Sequence, residues 1–125
     1  MVMSRLLLDT NAVISLLGGN HRLNEALAEA EWVGISIVTK LEYLSFPELA
    51  KEDMDLFSVF ENRVEVVDLT NSQTDLLDAV ARLKKQANVK LPDAIIAASA
   101  LLHKARLLTA DKQLLNAWPE LTTPV

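Results

Sequence analysis

The sequence contains no cysteine, and only three of its 125 residues are glycine and four are proline. The absence of cysteine excludes disulfide bonds, thiolate nucleophiles and metal sites that depend on thiolate ligands. The scarcity of glycine and proline argues against fibrous and disordered classes. The longest strongly apolar stretch, residues 94–102, is far shorter than the roughly 20 residues of a membrane helix, and no export leader is visible. We therefore expect one cytoplasmic globular domain over residues 1–125 that does not enter a membrane.

The chain also lacks the excess of positive charge that is typical of proteins holding nucleic acid by bulk electrostatics, because its formal net charge is −5. Several acids gathered around divalent cations would account for most of the excess of negative charge. A basic group near the end of one predicted helix, Lys84, Lys85 and Lys90, is more ordinary as a solvated helix end than as a contact for RNA phosphates.

Half of the residues are apolar, and short apolar runs alternate with helical periodicities. Strands are predicted over residues 5–8, 32–37, 64–69 and 106–109, with a further edge strand over 121–125. Helices are predicted over residues 10–17, 22–30, 39–47, 51–62, 70–87 and 92–102, with a short one through Leu114 and Leu115. This alternation predicts an α/β fold with a mostly parallel central sheet of four to five short strands between two layers of helices.

Four acids lie at the ends or beginnings of these elements, and each has an ordinary structural explanation. Asp9 and Asp111 are candidate helix N-caps, Asp93 is a first-turn acid, and Glu42 is the return arm of a capping box that begins at Thr39. Considered one at a time, these four structural roles are the better interpretation.

Considered together, the four acids point to a site. Asp9 and Asp111 follow apolar strands that end at the same edge of the sheet if they are parallel, and Asp93 opens a helix with hardly any polar face. Carboxylates placed so close would repel one another unless a cation lay between them. Ligands that are all oxygen favour Mg²⁺ or Mn²⁺, which activate water for phosphodiester hydrolysis.

The same residues resemble a known family. Residues 7–11, Glu42, residues 91–98 and residues 108–111 look like the four motif regions of PIN-domain nucleases, and the resemblance spans essentially the whole chain. The length is similar to that of the VapC-type toxins of toxin–antitoxin pairs. The resemblance implies a PIN-like three-layer sandwich and an Mg²⁺- or Mn²⁺-dependent endoribonuclease. It also implies a homodimer that is inhibited by a small antitoxin.

For the site, the resemblance implies that Asp9, Glu42, Asp93 and Asp111 are both the catalytic and the metal-binding acids. Thr10 or Asn11 would orient the carboxylates or the attacking water by hydrogen bonds, and Thr109 would support the site from behind.

Two other functions stay open at this point. A haloacid-dehalogenase-like phosphatase would use Asp9 as a covalent nucleophile, although such sites usually carry a second aspartate where this chain has Asn11. A non-catalytic module that binds RNA or a protein partner has no reason to tolerate four repelling acids. His21, His103 and Asp68 are left outside the site, and the scattered aromatic residues are expected to pack in the core or in a dimer.

Overall fold

A computed structural model describes residues 5–125, in which strands and helices alternate as predicted. The strands of the described residues are β1 (Arg5–Leu8), β2 (Trp32–Ser36), β3 (Glu65–Val67), β4 (Arg106–Thr109) and β5 (Thr122–Pro124). The helices in the same part of the chain are α1 (Thr10–Leu17), α2 (His21–Ala28), α3 (Ile37–Leu44), α4 (Lys51–Glu61), α5 (Thr74–Gln86), α6 (Leu91–Leu102) and α7 (Lys112–Ala117). Among the described residues, no helix has the length and hydropathy needed to cross a membrane.

The strands form one sheet in the order β3-β2-β1-β4-β5, and all four pairings are parallel. The central strand, β1, pairs through Leu7 with Gly34 of β2 on one side and with Leu107 of β4 on the other. The chain therefore moves outward in one direction from β1 to β3, and then crosses back to build β4 and β5. Open α/β sheets bind ligands where the strand order reverses in this way, at the carboxyl ends of β1 and β4.

Both faces of the sheet are covered by helices, which explains why its central strands are apolar without interruption. Leu7 and Leu107 point to one face and pack against α5, α6 and α7. Leu6, Leu8 and Leu108 point to the other face and join the buried side chains of α1, α2 and α4. The predicted three-layer α/β architecture is confirmed, with all of the strands parallel rather than most of them.

The boundary between β2 and α3 differs from the prediction. The helix begins at Ile37 rather than Thr39, and its N-cap is Ser36, whose Oγ accepts the Val38 N–H at 3.1 Å. The capping box at Thr39 is therefore wrong, and Glu42 lies inside α3. Ile37 and Val38 are β-branched and extend the strand-like pattern, which hid the helix start in the sequence. In a similar way, α5 begins at Thr74, four residues later than predicted.

Candidate active site

Asp9 and Asp111 lie at the carboxyl edge of the sheet, where the strand order reverses, and both are helix N-caps. Asp9 follows β1 directly, and its Oδ1 accepts the Ala12 N–H at 2.8 Å. Asp111 lies two residues beyond β4, and its Oδ1 accepts the N–H groups of Gln113 and Leu114 at 2.8 and 3.4 Å. The capping explanation and the shared edge are therefore both correct, because each aspartate caps a helix that begins at this edge.

Two other elements bring the remaining acids to the same place. Asp93 is in the first turn of α6, the helix that is buried along most of its length, and Glu42 projects from α3. All four acids line one cavity of about 220 Å³, together with Thr10, Asn11, Phe46 and Ile96. The structure thus places every predicted acid, and two of the three predicted supporting residues, around one space.

The electrostatics of this cavity are unfavourable for negative charge. Burial raises the pKa of Asp9, which is only 5% exposed, and the charges of Asp111 and Glu42 raise it further, against hydrogen bonds that lower it. Burial also raises the pKa of Asp93, again with contributions from its acidic neighbours, and Lys90 opposes this only as the smallest effect. Like charges that raise one another's pKa in a cleft are a common property of functional sites.

Two threonine hydroxyl groups connect the acids to the fold. Thr109 is fully buried at the end of β4, where its hydroxyl bonds the Asp9 carboxylate and accepts the Asp111 N–H at 3.0 Å. Thr10 donates a short hydrogen bond to Oε1 of Glu42. Thr109 and Thr10 therefore both form hydrogen bonds to acids of the cavity. Asn11, in contrast, is exposed at the cavity.

The donor set suits a hard divalent cation, because every acidic side chain in the cavity offers carboxylate oxygen and no histidine lines it. Within residues 5–125, however, no three acidic or histidine side chains are already grouped as metal ligands. The backbone donors to Asp111 reach Oδ1, so the cap does not use Oδ2. The residues fit the cation in chemistry and charge, and they would have to move closer together to coordinate it.

Comparison with known proteins decides the family. Residues 6–117 match the PIN domain family. The chain belongs to the PIN-domain family.

Solved structures have the same fold. A chain of a toxin–antitoxin complex from Klebsiella pneumoniae is 26% identical, with a TM-score of 0.76 over 94% of this chain and 95% of that one. A chain of VapBC2 from Rickettsia felis, bound to a DNA fragment from its promoter, is 18% identical, with a TM-score of 0.78 over 96% and 98%. A chain of DNA-bound VapBC from Salmonella typhimurium is 19% identical, with a TM-score of 0.68 over 98% of both chains. No curated protein sequence matched the chain.

Sequence reasoning missed two residues that line the cavity in this PIN domain, Ile96 and Phe46. Tyr43, Phe57 and Phe60 pack in the core as expected, but Phe46 is 40% exposed and forms part of the cavity wall. Its ring meets the Tyr43 ring edge to face, with centroids 5.9 Å apart, so the exposed ring has a rigid support. The neighbouring Pro47 shows that the helix ends nearby but does not show which way Phe46 points, so nothing in the sequence distinguishes it from the core aromatics.

Several basic side chains of the PIN domain are engaged away from the cavity. Lys40 pairs with Glu61, and Arg106 bonds the backbone carbonyl groups of Glu120 and Thr122. Arg5 bonds the His103 carbonyl at 2.7 Å and lies over the Trp32 ring.

The two histidines and Asp68 do not line the acidic cavity. His103 ends α6 and stacks on Trp32, whereas His21 and Asp68 are exposed.

Proposed function

We propose that this PIN domain is an Mg²⁺- or Mn²⁺-dependent endoribonuclease and the toxin of a toxin–antitoxin pair. The observation that carries the proposal is the single cavity in which Asp9, Glu42, Asp93 and Asp111 meet at the point where the strand order reverses. Their mutual repulsion favours a bound cation, and the family assignment agrees with hydrolysis of a phosphodiester bond.

In this proposal Asp9, Glu42, Asp93 and Asp111 would hold the cation, which would supply a water of lowered pKa and neutralise charge on the phosphate. The other residues of the cavity set the geometry. Thr109 holds Asp9 and the start of α7 in register, and Thr10 holds Glu42. Asn11, which is exposed at the cavity, would orient the attacking water through its amide.

Substrate binding has to overcome the acidic charge of the chain. Lys90 and Lys112 are both exposed and are the cations nearest in sequence to Asp93 and Asp111, so we assign them to the RNA backbone. The exposed ring of Phe46 offers a surface on which an unpaired base next to the cleaved phosphate stacks. With so few contacts, we expect a short single-stranded stretch to be recognised.

The toxin assignment rests on similarity. The most similar of the structures described above, at 26% identity, belongs to a toxin–antitoxin complex, and two others are VapBC assemblies. We therefore propose a small antitoxin as the protein partner and a homodimer as the assembly. Light scattering of the purified chain, alone and with the product of the adjacent reading frame, tests both statements.

Cleavage of total RNA by the purified protein tests the enzymatic proposal. With Mg²⁺ or Mn²⁺ we expect discrete fragments, and no fragments with EDTA or with the Asp9→Asn variant. If folded protein, free of any bound inhibitor, leaves RNA intact with both metals, the proposal is wrong.

The phosphatase alternative makes a different prediction, because an aspartyl nucleophile would be trapped by a phosphate mimic such as beryllium fluoride. The position two residues beyond Asp9 holds Asn11, and the fold belongs to the PIN family, so we expect no adduct.

A further inference from the structure

A buried hydroxyl behind the acidic cavity has no role in the function proposed so far. Thr39 lies in α3 three residues before Glu42, so the two side chains share a face of the helix. Thr39 is fully buried, and its Oγ1 lies 3.3 Å from Oγ1 of Thr10. Since a buried hydroxyl without a partner destabilises the folded state, this hydrogen bond is the reason that threonine is tolerated here.

The hydroxyl group of Thr10 connects Thr39 to Glu42. Thr10 Oγ1 carries one hydrogen, and it is the donor toward both Oε1 of Glu42 and Oγ1 of Thr39. The Thr39 oxygen is therefore a second acceptor, which limits the directions in which the Thr10 hydroxyl points and keeps it on the side of α3 that carries Glu42.

We propose that Thr39 is a positioning residue, which holds Glu42 in place for the cation by fixing the hydroxyl of Thr10. This inference rests on the proposed function, since it assigns a role toward the same metal. A threonine hydroxyl rotates freely unless a second partner orients it, and Thr39 is that second partner. The contact between Thr10 and Thr39 also ties α3 to the first turn of α1, next to Asp9.

Shape alone does not explain Thr39. Valine has the same shape and would bury a methyl group in place of the hydroxyl, so a position that served packing alone would suit valine at least equally well. The value of the hydroxyl therefore lies in its bond to Thr10, at the edge of the acidic cavity.

The test compares Thr39→Val, which removes the hydroxyl, with Thr39→Ser, which keeps it. Mn²⁺ binding is measured by calorimetry, without RNA. Groups that orient metal ligands typically contribute about 10- to 100-fold to affinity, so we expect Thr39→Val to weaken Mn²⁺ binding by that factor. Thr39→Ser should bind Mn²⁺ within a few-fold of the native protein.

Thr122 supplies a matched control, because it is also a buried threonine whose hydroxyl makes one hydrogen bond, to the Trp118 carbonyl at 2.7 Å. It lies in β5, at the edge of the sheet. Thr122→Val should lower stability without changing Mn²⁺ affinity. If Thr39→Val and Thr122→Val behave alike in Mn²⁺ binding, Thr39 has only a structural role and the inference is wrong.

A metal-free measurement separates this inference from the proposed function. In the metal-free protein, the carboxyl ¹³C resonance of Glu42 should move in Thr39→Val and keep its native position in Thr39→Ser and Thr122→Val. If the native protein neither binds Mn²⁺ nor cleaves RNA, the proposed function fails, and the role of Thr39 as a positioning residue for the cation fails with it. If the native protein binds Mn²⁺ but the Glu42 resonance does not respond to Thr39→Val, only the positioning role is overturned.

Discussion

Replacing Asp9 with asparagine removes one negative charge from the acidic cavity and keeps the shape of the side chain. Asparagine is as good an N-cap as aspartate, so the bond from the Ala12 N–H to Oδ1 is retained. The Thr109 hydroxyl, which bonds the carboxylate, can accept from the new amide instead of donating. The substitution therefore isolates the effect of the charge.

Without metal, Asp9→Asn should stabilise the protein at pH 7. The pKa of Asp9 is raised above 3.8 in the folded state, mainly by burial, so ionisation at neutral pH opposes folding. Each unit of that rise corresponds to about 1.4 kcal/mol of unfolding free energy. We expect the variant to melt at or above the temperature of the native protein.

With Mn²⁺ the order should reverse. At a concentration about 100 times the Kd, binding stabilises the native protein by about 2.7 kcal/mol. An unfolding entropy of about 2.1 cal/mol/K per residue gives about 0.26 kcal/mol/K for 125 residues, and therefore a rise in Tm of about 10 °C. If the loss of Asp9 weakens binding about 100-fold, the same Mn²⁺ concentration adds only about 0.4 kcal/mol, or less than about 2 °C.

Thermal unfolding of both proteins with and without Mn²⁺, followed by calorimetry, measures these shifts. Asp68→Asn is the control, because Asp68 follows β3 but is exposed and does not line the cavity, so its variant should respond to Mn²⁺ like the native protein. An Asp9→Asn protein that Mn²⁺ stabilises by about 10 °C would refute the metal site. One that melts well below the native protein without metal would refute the electrostatic reasoning.

Four further results are expected. Asp111→Ala should be about 1 kcal/mol less stable than Asp111→Asn in urea unfolding, because only asparagine keeps the cap of α7, and neither should cleave RNA. In metal-free protein, the free energy of unfolding should fall as pH rises from 3.8 through the raised folded pKa values of Asp9 and Asp93, because the folded state then binds more protons than the unfolded chain. Urea unfolding across this pH range measures the fall. Phe46→Ala should raise KM for RNA about tenfold at unchanged kcat, whereas Phe46→Trp should not. Gly34→Ala should cost about 1–3 kcal/mol and change tryptophan fluorescence, because its Cβ would overlap the Trp32 ring.

Several properties could be predicted because they depend on neighbours in the chain. The apolar run of β1, the periodicity of α1 and the nearly polar-free α6 each show which faces are buried, and their alternation predicts a parallel sheet. Asp9, Asp93 and Asp111 stand at element boundaries, where capping preferences leave a local signal. Their meeting at one edge then follows from parallel strands.

Other properties depended on contacts between distant parts of the chain. The local sequence pattern predicted a helix start at Thr39, whereas in the structure Thr39 lies inside α3. Its hydroxyl is hydrogen-bonded to the hydroxyl of Thr10, 29 residues away in sequence. Nothing in the local sequence distinguishes Phe46 from the core aromatics, and only the path of the chain just beyond α3 exposes its ring at the cavity. The sequence by itself therefore determined the elements and the acids that begin them, because these depend on backbone preference and periodicity. The tertiary structure alone decided that the Phe46 ring lines the cavity and that the Thr39 hydroxyl contacts Thr10 behind it, because a side chain's partner across the fold leaves no periodic trace in the chain.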